Sequence, residues 1–110
     1  MNLYETIFIV RQDLQTQEVH QISDQYKEWV KDFGGELKKC EYWGLRTLAY
    51  EIKKNKKGHY LFYVVALGAS DIQNLENKLK FREDIIRYVT FKVDKYDEKP
   101  SMMMQSFATK

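Results

Sequence analysis

The stretch WGLRTLAYEIKKNKKGHYLFYVVAL, Trp43 to Leu67, decides the fold. It closes one long strand, turns through a polar run and opens another. From Glu36 to Ile52 the chain alternates imperfectly, carrying Tyr42, Trp43, Leu45, Leu48, Tyr50 and Ile52. Gly44 falls where a strand bulges or bends, so this segment reads as one kinked strand. Tyr60 to Leu67, YLFYVVAL, is a near-continuous apolar run of the kind a central strand needs, because both of its faces are covered. Between them Lys53 to Gly58 reads as a long hairpin loop, in which Asn55 and Gly58 are the residues that tolerate positive φ.

Working outward, Leu3 to Val10 is rich in β-branched and aromatic residues. Thr6, Phe8 and Val10 lie on one face and Ile7 and Ile9 on the other, a strand buried on both sides for part of its length. Val19, Ile22, Tyr26, Trp29, Val30 and Phe33 recur at steps of three and four, which predicts a helix over 16–33. Gly34 and Gly35 supply the left-handed turn that ends it. Ser70 followed by Gln73 matches a capping box, and Ile72, Leu75 and Leu79 form the stripe of a second helix. Ile85 to Val93 is strand-like, with Val89, Phe91 and Val93 facing one way and Tyr88, Thr90 and Lys92 the other. The order is β-α-β-β-α-β: an α+β, ferredoxin-like domain, with four antiparallel strands carrying two helices on one face. The domain is expected over residues 1–94, and residues 95–110 read as a C-terminal tail that is flexible in isolation.

A chain of 110 residues is the size of one domain, and 44% hydrophobic residues with 15% aromatics suffice for a single core. Cys40 is the only cysteine, which excludes an intrachain disulfide and favours a reducing, cytosolic setting. The opening MNLYETIFIVRQD lacks a basic start and is interrupted by Glu5, so it reads as neither signal peptide nor membrane span.

Catalytic and cofactor motifs find little support. The one close glycine pair ends a helix rather than opening one, so no phosphate loop is present. His20 and His59 have no metal-ligand constellation around them, and no metal or cofactor is expected. Copper chaperones of this fold need paired cysteines after the first strand, where this chain has Arg11, Gln12 and Asp13. A ferredoxin-like hydrolase such as an acylphosphatase needs an arginine there; Arg11 is the only candidate, and the phosphate-cradling glycines are missing. The adjacent carboxylates Glu83 and Asp84, or Asp97 and Glu98, diverge on regular elements and read as solvated surface.

Charge is polarised. Trp43 to Tyr60 holds Arg46, Lys53, Lys54, Lys56 and Lys57 against Glu51 alone, leaving 13 basic and 15 acidic residues elsewhere. A lysine-rich hairpin is compatible with a wet, solubilising loop. Arg46 on the strand leading in, Lys78, Lys80 and Arg82 at the end of the second helix, and Arg87 and Lys92 on the last strand also fit several groups flanking one nucleic-acid backbone. Tyr60, Phe62 and Tyr63 invite comparison with RNA-recognition motifs, which stack single-stranded bases on an open sheet. Lys57 and Gly58 match that signature, but His59, Tyr60, Leu61 and Val64 depart from it. Phe62, Tyr63 and Trp43 therefore read chiefly as packing residues. In the tail, Met102, Met103, Met104 and Phe107 read as a loose end or as a segment that orders on a partner protein.

Taken together, Tyr4 and Glu5, then Trp43, Gly44, Arg46, Leu48, Ala49, Tyr50 and Ile52, then Lys54, Gly58 and Tyr60, then Ile86, Arg87 and Tyr88 resemble the bacterial small-subunit ribosomal protein six family over about residues 3 to 93. The resemblance implies a non-enzymatic cytoplasmic protein of the ribosome, with no membrane or small-molecule partner. It implies binding to the central domain of small-subunit rRNA beside small-subunit ribosomal protein eighteen. On this reading Arg46, Lys53, Lys54, Lys56, Lys57, Arg82, Arg87 and Lys92 are the candidate RNA contacts, and Met102, Met103, Met104 and Phe107 the candidate partner contacts. The family usually has proline after Ala-Tyr, where Glu51 stands here, and often one or two basic residues before Tyr-Glu, where Asn2 and Leu3 stand.

Overall fold

The structure, a computed structural model, describes residues 1–101. Its elements are β1 (Asn2–Arg11), α1 (Thr16–Asp32), β2 (Glu36–Ile52), β3 (Asn55–Leu67), α2 (Ala69–Lys80) and β4 (Ile85–Val93). The strands form one antiparallel sheet in the order β2-β3-β1-β4, the ferredoxin-like arrangement read from the sequence.

Both helices lie on one face because the strand residues that alternate toward them are the large apolar ones. Phe8 and Val10 of β1 and Leu61, Tyr63, Val65 and Leu67 of β3 meet Val19, Ile22, Tyr26 and Val30 of α1 and Leu75 and Leu79 of α2. Each such side chain contributes about 1.5–3 kcal/mol when fully buried, and Phe8, Tyr26 and Tyr63 share one aromatic centre with ring centroids 4.4–5.3 Å apart. On the opposite face Ile9, Leu48 and Ile86 form a second, smaller cluster with Ile52 and Tyr60 packed against it.

The hairpin differs from expectation. No long loop separates β2 from β3: Ile52 pairs with Asn55, and the turn is Lys53 and Lys54, at φ 47° and 67°. A two-residue hairpin turn needs positive φ at both positions to match the strand twist, so two lysines stand where Asn-Gly is usual. Asn55 and Gly58 belong to β3. Gly58 is required for space rather than for φ, since a Cβ there would come within 2.3 Å of the Ile9 Cγ2.

The start of α2 also differs. Gly68, not Ser70, is the N-cap, and its carbonyl accepts from the Asp71 and Ile72 amides at 3.1 and 3.3 Å. Leu67 is fully buried as the last residue of β3, so the chain reverses at once and Ser70 falls inside the first turn. At the end of α1, Gly34 adopts φ 75° as anticipated, while Gly35 packs against Leu67. Gly44, at φ 87°, sits at the register shift that kinks β2.

Candidate nucleic-acid interface

Four features converge at one end of the sheet: the tip of the β2–β3 hairpin, the end of β1, the α2–β4 connection and the first residues of β4. The lysine turn is anchored from below. Asn55 is buried, and its side-chain amide donates to the Ile52 and Lys53 carbonyls at 3.2 and 3.1 Å. Its Oδ1 accepts from the Gln12 amide at 3.0 Å, and the Lys57 amide donates to Gln12 Oε1 at 3.1 Å. The sequence explains the arrangement: two positive-φ residues leave carbonyls turned inward, and a short carboxamide is the side chain that reaches them. Lys53, Lys54, Lys56 and Lys57 are then all exposed on a fixed support.

His59 stiffens the base of the hairpin. Its buried ring lies 2.9 Å from the Leu14 carbonyl at Nε2 and 2.8 Å from the Tyr42 hydroxyl at Nδ1. A carbonyl only accepts, so Nε2 carries the proton toward Leu14.

Beyond Gly44 the edge strand β2 leaves regular pairing. Thr47 pairs with Lys57 and Ile52 with Asn55, so Leu48 to Glu51 stand opposite Lys56 alone. The extra residues swing over the uncovered face of the sheet. As a result Tyr50, on one edge strand, is hydrogen-bonded by the Arg87 guanidinium from the other edge. The Arg87 guanidinium also lies 5.8 Å from the centre of the Tyr50 ring. Beneath this bridge lies a cavity of about 260 Å³ walled by Ile9, Leu48, Ile52 and Tyr60. Glu51, at the usual proline position, is exposed on this irregular arm.

The remaining candidates divide. Arg46 is half-buried and donates from Nε to the Trp43 carbonyl at 2.9 Å, which ties down the bulge at Gly44. Arg82 forms a two-point pair with Asp84 at 2.9 and 2.7 Å. The bonds from Arg82, set against burial, hold the Asp84 carboxyl below its ordinary range, and Asp84 in turn raises Arg82. This pair sits beside the end of β1, where the Arg11 amide donates to the Asp84 carbonyl at 2.9 Å. Lys92 is apart from the rest: it pairs with Tyr4 near the start of β1, five residues along β4 from Arg87, about 17 Å at strand rise. The structure therefore brings together the four lysines, Arg82 and Arg87 at one end and places Lys92 toward the other. Asn55, Gln12 and Tyr50 are the members that sequence reading missed. An Asn after a lysine pair is a usable signal for the first, Tyr50 is marked only as a motif residue, and nothing local marks Gln12.

Two aromatics of the open face are committed to each other, while Phe91 on the same face stays exposed. Trp43 stacks on Phe62 with ring centroids 5.0 Å apart and planes 15° apart, and Phe62 is buried. Both act as packing residues, and Tyr63 belongs to the helix-side core. Met102, Met103, Met104 and Phe107 lie outside the described residues. Among the described residues no three His, Cys, Asp or Glu side chains converge as a metal site, and no helix is long and apolar enough to cross a membrane.

Comparison with known proteins identifies the family. The family model described as Ribosomal protein S6 matches residues 3–92. The chain is 42% identical over 106 residues to the small ribosomal subunit protein bS6 of Parvibaculum lavamentivorans, covering 96% of this chain and 68% of that protein. It is 42% identical over 109 residues to the protein of the same name from Rickettsia felis, covering 99% and 90%. Among solved structures, 30S ribosomal protein S6 from Thermotoga maritima superposes with a TM-score of 0.80 at 30% identity, over 84% of this chain and 87% of that one. The C-terminal domain of the MgtC protein from Mycobacterium tuberculosis reaches 0.59 at 7% identity, a likeness of fold alone. A matched family model over most of the chain, relatives at 42% identity and the shared fold place this chain in the ribosomal protein S6 family, whose members are structural components of the small ribosomal subunit and not enzymes.

Proposed function

We propose that this protein, in the cytoplasm, binds the central domain of small-subunit rRNA beside small-subunit ribosomal protein eighteen, using the basic end of its sheet. The observation that carries the reading is the hairpin: four exposed lysines on a turn whose base is locked by Asn55 and Gln12. A fixed turn suits folded RNA, because the backbone that carries the ammonium groups is already ordered and only the lysine side chains are immobilised on binding. Arg87 and Arg46 extend the positive rim, Arg82 sits beside it with its charge offset by Asp84, and Lys92 would meet a second stretch of backbone. Met102, Met103, Met104 and Phe107 are assigned to the partner protein, beyond the point where Ser101 is held on Glu41.

Stacking of single-stranded bases is the weaker reading, because the Phe62 ring is already covered by Trp43. Four phosphate contacts at a slope of about −0.7 each weaken binding by about 1.7 log units between about 50 and 200 mM salt. The test is filter binding of the rRNA central domain, with the partner protein present, across that salt range. Replacing all four hairpin lysines by glutamine is expected to lower affinity and flatten the salt slope by about 2.8. Unchanged affinity and slope would overturn the assignment.

A further inference from the structure

After β4 the chain crosses the open face of the sheet and is gripped on β2, at the end away from the lysine turn. Lys39 Nζ donates to the Asp97 carbonyl at 2.7 Å and to the Lys99 carbonyl at 2.6 Å. Glu41 Oε2 accepts from the Ser101 amide at 2.9 Å, while Glu41 Oε1 accepts from the Trp43 indole at 2.9 Å. Lys39 and Glu41 are themselves 3.7 Å apart, with side chains 12% and 6% exposed. Such burial is costly for two charges unless every donor and acceptor is met. Here the ammonium's donors are directed at two carbonyls and the neighbouring carboxylate, and the pair is covered by main-chain groups of residues 97–101 together with the Ser101 hydroxyl, which also bonds Glu41.

The segment is shaped for this contact. The Lys99 amide donates to its own chain's Asp97 Oδ1 at 2.9 Å, a local turn that aims both carbonyls at one ammonium. Lys39 also lies 5.8 Å from the centre of the Phe62 ring, so the stacked Trp43 and Phe62 form the floor and the segment the roof.

We propose that Lys39, Glu41, Trp43 and Phe62 form a peptide-binding site that grips chiefly main chain, with the Ser101 hydroxyl as its one side-chain contact on Glu41, filled by residues 97–101 of the same chain as a releasable clasp. The proposal is independent of the RNA reading, whose hairpin contacts lie at the opposite end of the sheet and whose Lys92 takes no part in the clasp. Because the grip is on two carbonyls and on the amide and hydroxyl of Ser101, release leaves the fold intact and frees the Lys39–Glu41 pair together with this half of the open face.

The test is NMR on the full chain, reading the 15N–1H heteronuclear NOE of residues 97–101 and the Trp43 indole proton shift. In the unmodified protein the NOE of 97–101 is expected to match that of β2 and β3. Ser101→Pro removes both donors to Glu41, the amide and the hydroxyl, and touches no core residue; Lys39→Met removes the ammonium. Each is expected to lower the NOE of 97–101 to the level of freely moving chain and to shift the Trp43 indole, with β3 amide positions retained. Glu98→Ala, a side-chain change in the same segment, is expected to leave the clasp closed. Freely moving 97–101 in the unmodified protein, no response to Ser101→Pro, or release by Glu98→Ala would overturn it. Should Lys39→Met fail to fold, Ser101→Pro decides alone.

Discussion

Asn55 and Gln12, 43 positions apart in the chain, are joined by a 3.0 Å hydrogen bond from the Gln12 amide to the Asn55 carboxamide oxygen. This contact fixes the lysine turn to the β1–α1 connection, and with it the direction in which four positive charges point. Asn55→Ala leaves the Ile52, Lys53 and Gln12 backbone groups without that partner, at a cost of about 1–3 kcal/mol. Urea denaturation is expected to show that loss. Binding to the rRNA central domain is expected to weaken with its salt slope unchanged, since every lysine is retained.

The turn itself trades stability for charge. Lys53 and Lys54 both hold positive φ, which is unfavourable for a residue with a side chain. The double change Lys53→Asn and Lys54→Gly is expected to raise unfolding stability by about 1 kcal/mol. The same protein should show a salt slope for RNA binding flatter by about 1.4, as two phosphate contacts are lost. A calorimetric melting temperature and a salt titration on one sample check both halves.

Gly58→Ala tests whether glycine is needed for space. The added methyl meets Ile9 Cγ2 in the second apolar cluster. Overpacking of this kind costs about 1–3 kcal/mol. Ile9→Ala is expected to be destabilising alone and to relieve part of the Gly58→Ala cost in combination, a non-additivity that a double-mutant cycle on unfolding free energies measures.

Asp84 supplies an acid limb to the stability curve. Hydrogen bonds from Arg82 outweigh burial and hold its folded pKa below the ordinary 3.8, so its contribution is present above that value and lost as pH falls through the folded pKa. Asp84→Asn is expected to lower the melting temperature at neutral pH. The gap between variant and parent should close as pH drops below about 3.8, and melting curves from neutral pH to about pH 2 follow it.

Much of the fold was legible because its signals are local. The 3.6-residue stripe of α1, the alternation of Ile85 to Val93 and the apolar run YLFYVVAL each report a face that must be buried, and burial repeats along the element itself. The hairpin was misplaced because Lys53 and Lys54 are poor turn formers by propensity; their φ values are imposed by the paired strands and by Asn55 below them. The cap of α2 was misplaced because burial of Leu67 outranked the Ser70 signal.

The sequence by itself determined the element order, the helix-side core, the clustering of lysines and the family motif around Gly44, Arg46 and Tyr50. Tertiary structure alone decided which of those charges share a surface. Folding joined Tyr50 to Arg87 across four strands, separated Lys92 from the lysine turn, tied Arg82 to Asp84 and laid residues 97–101 over Lys39 and Glu41. The physical reason is one of range: periodicity encodes which face of an element leaves water, whereas electrostatic and hydrogen-bonded partners are chosen among side chains that meet only after the sheet has closed.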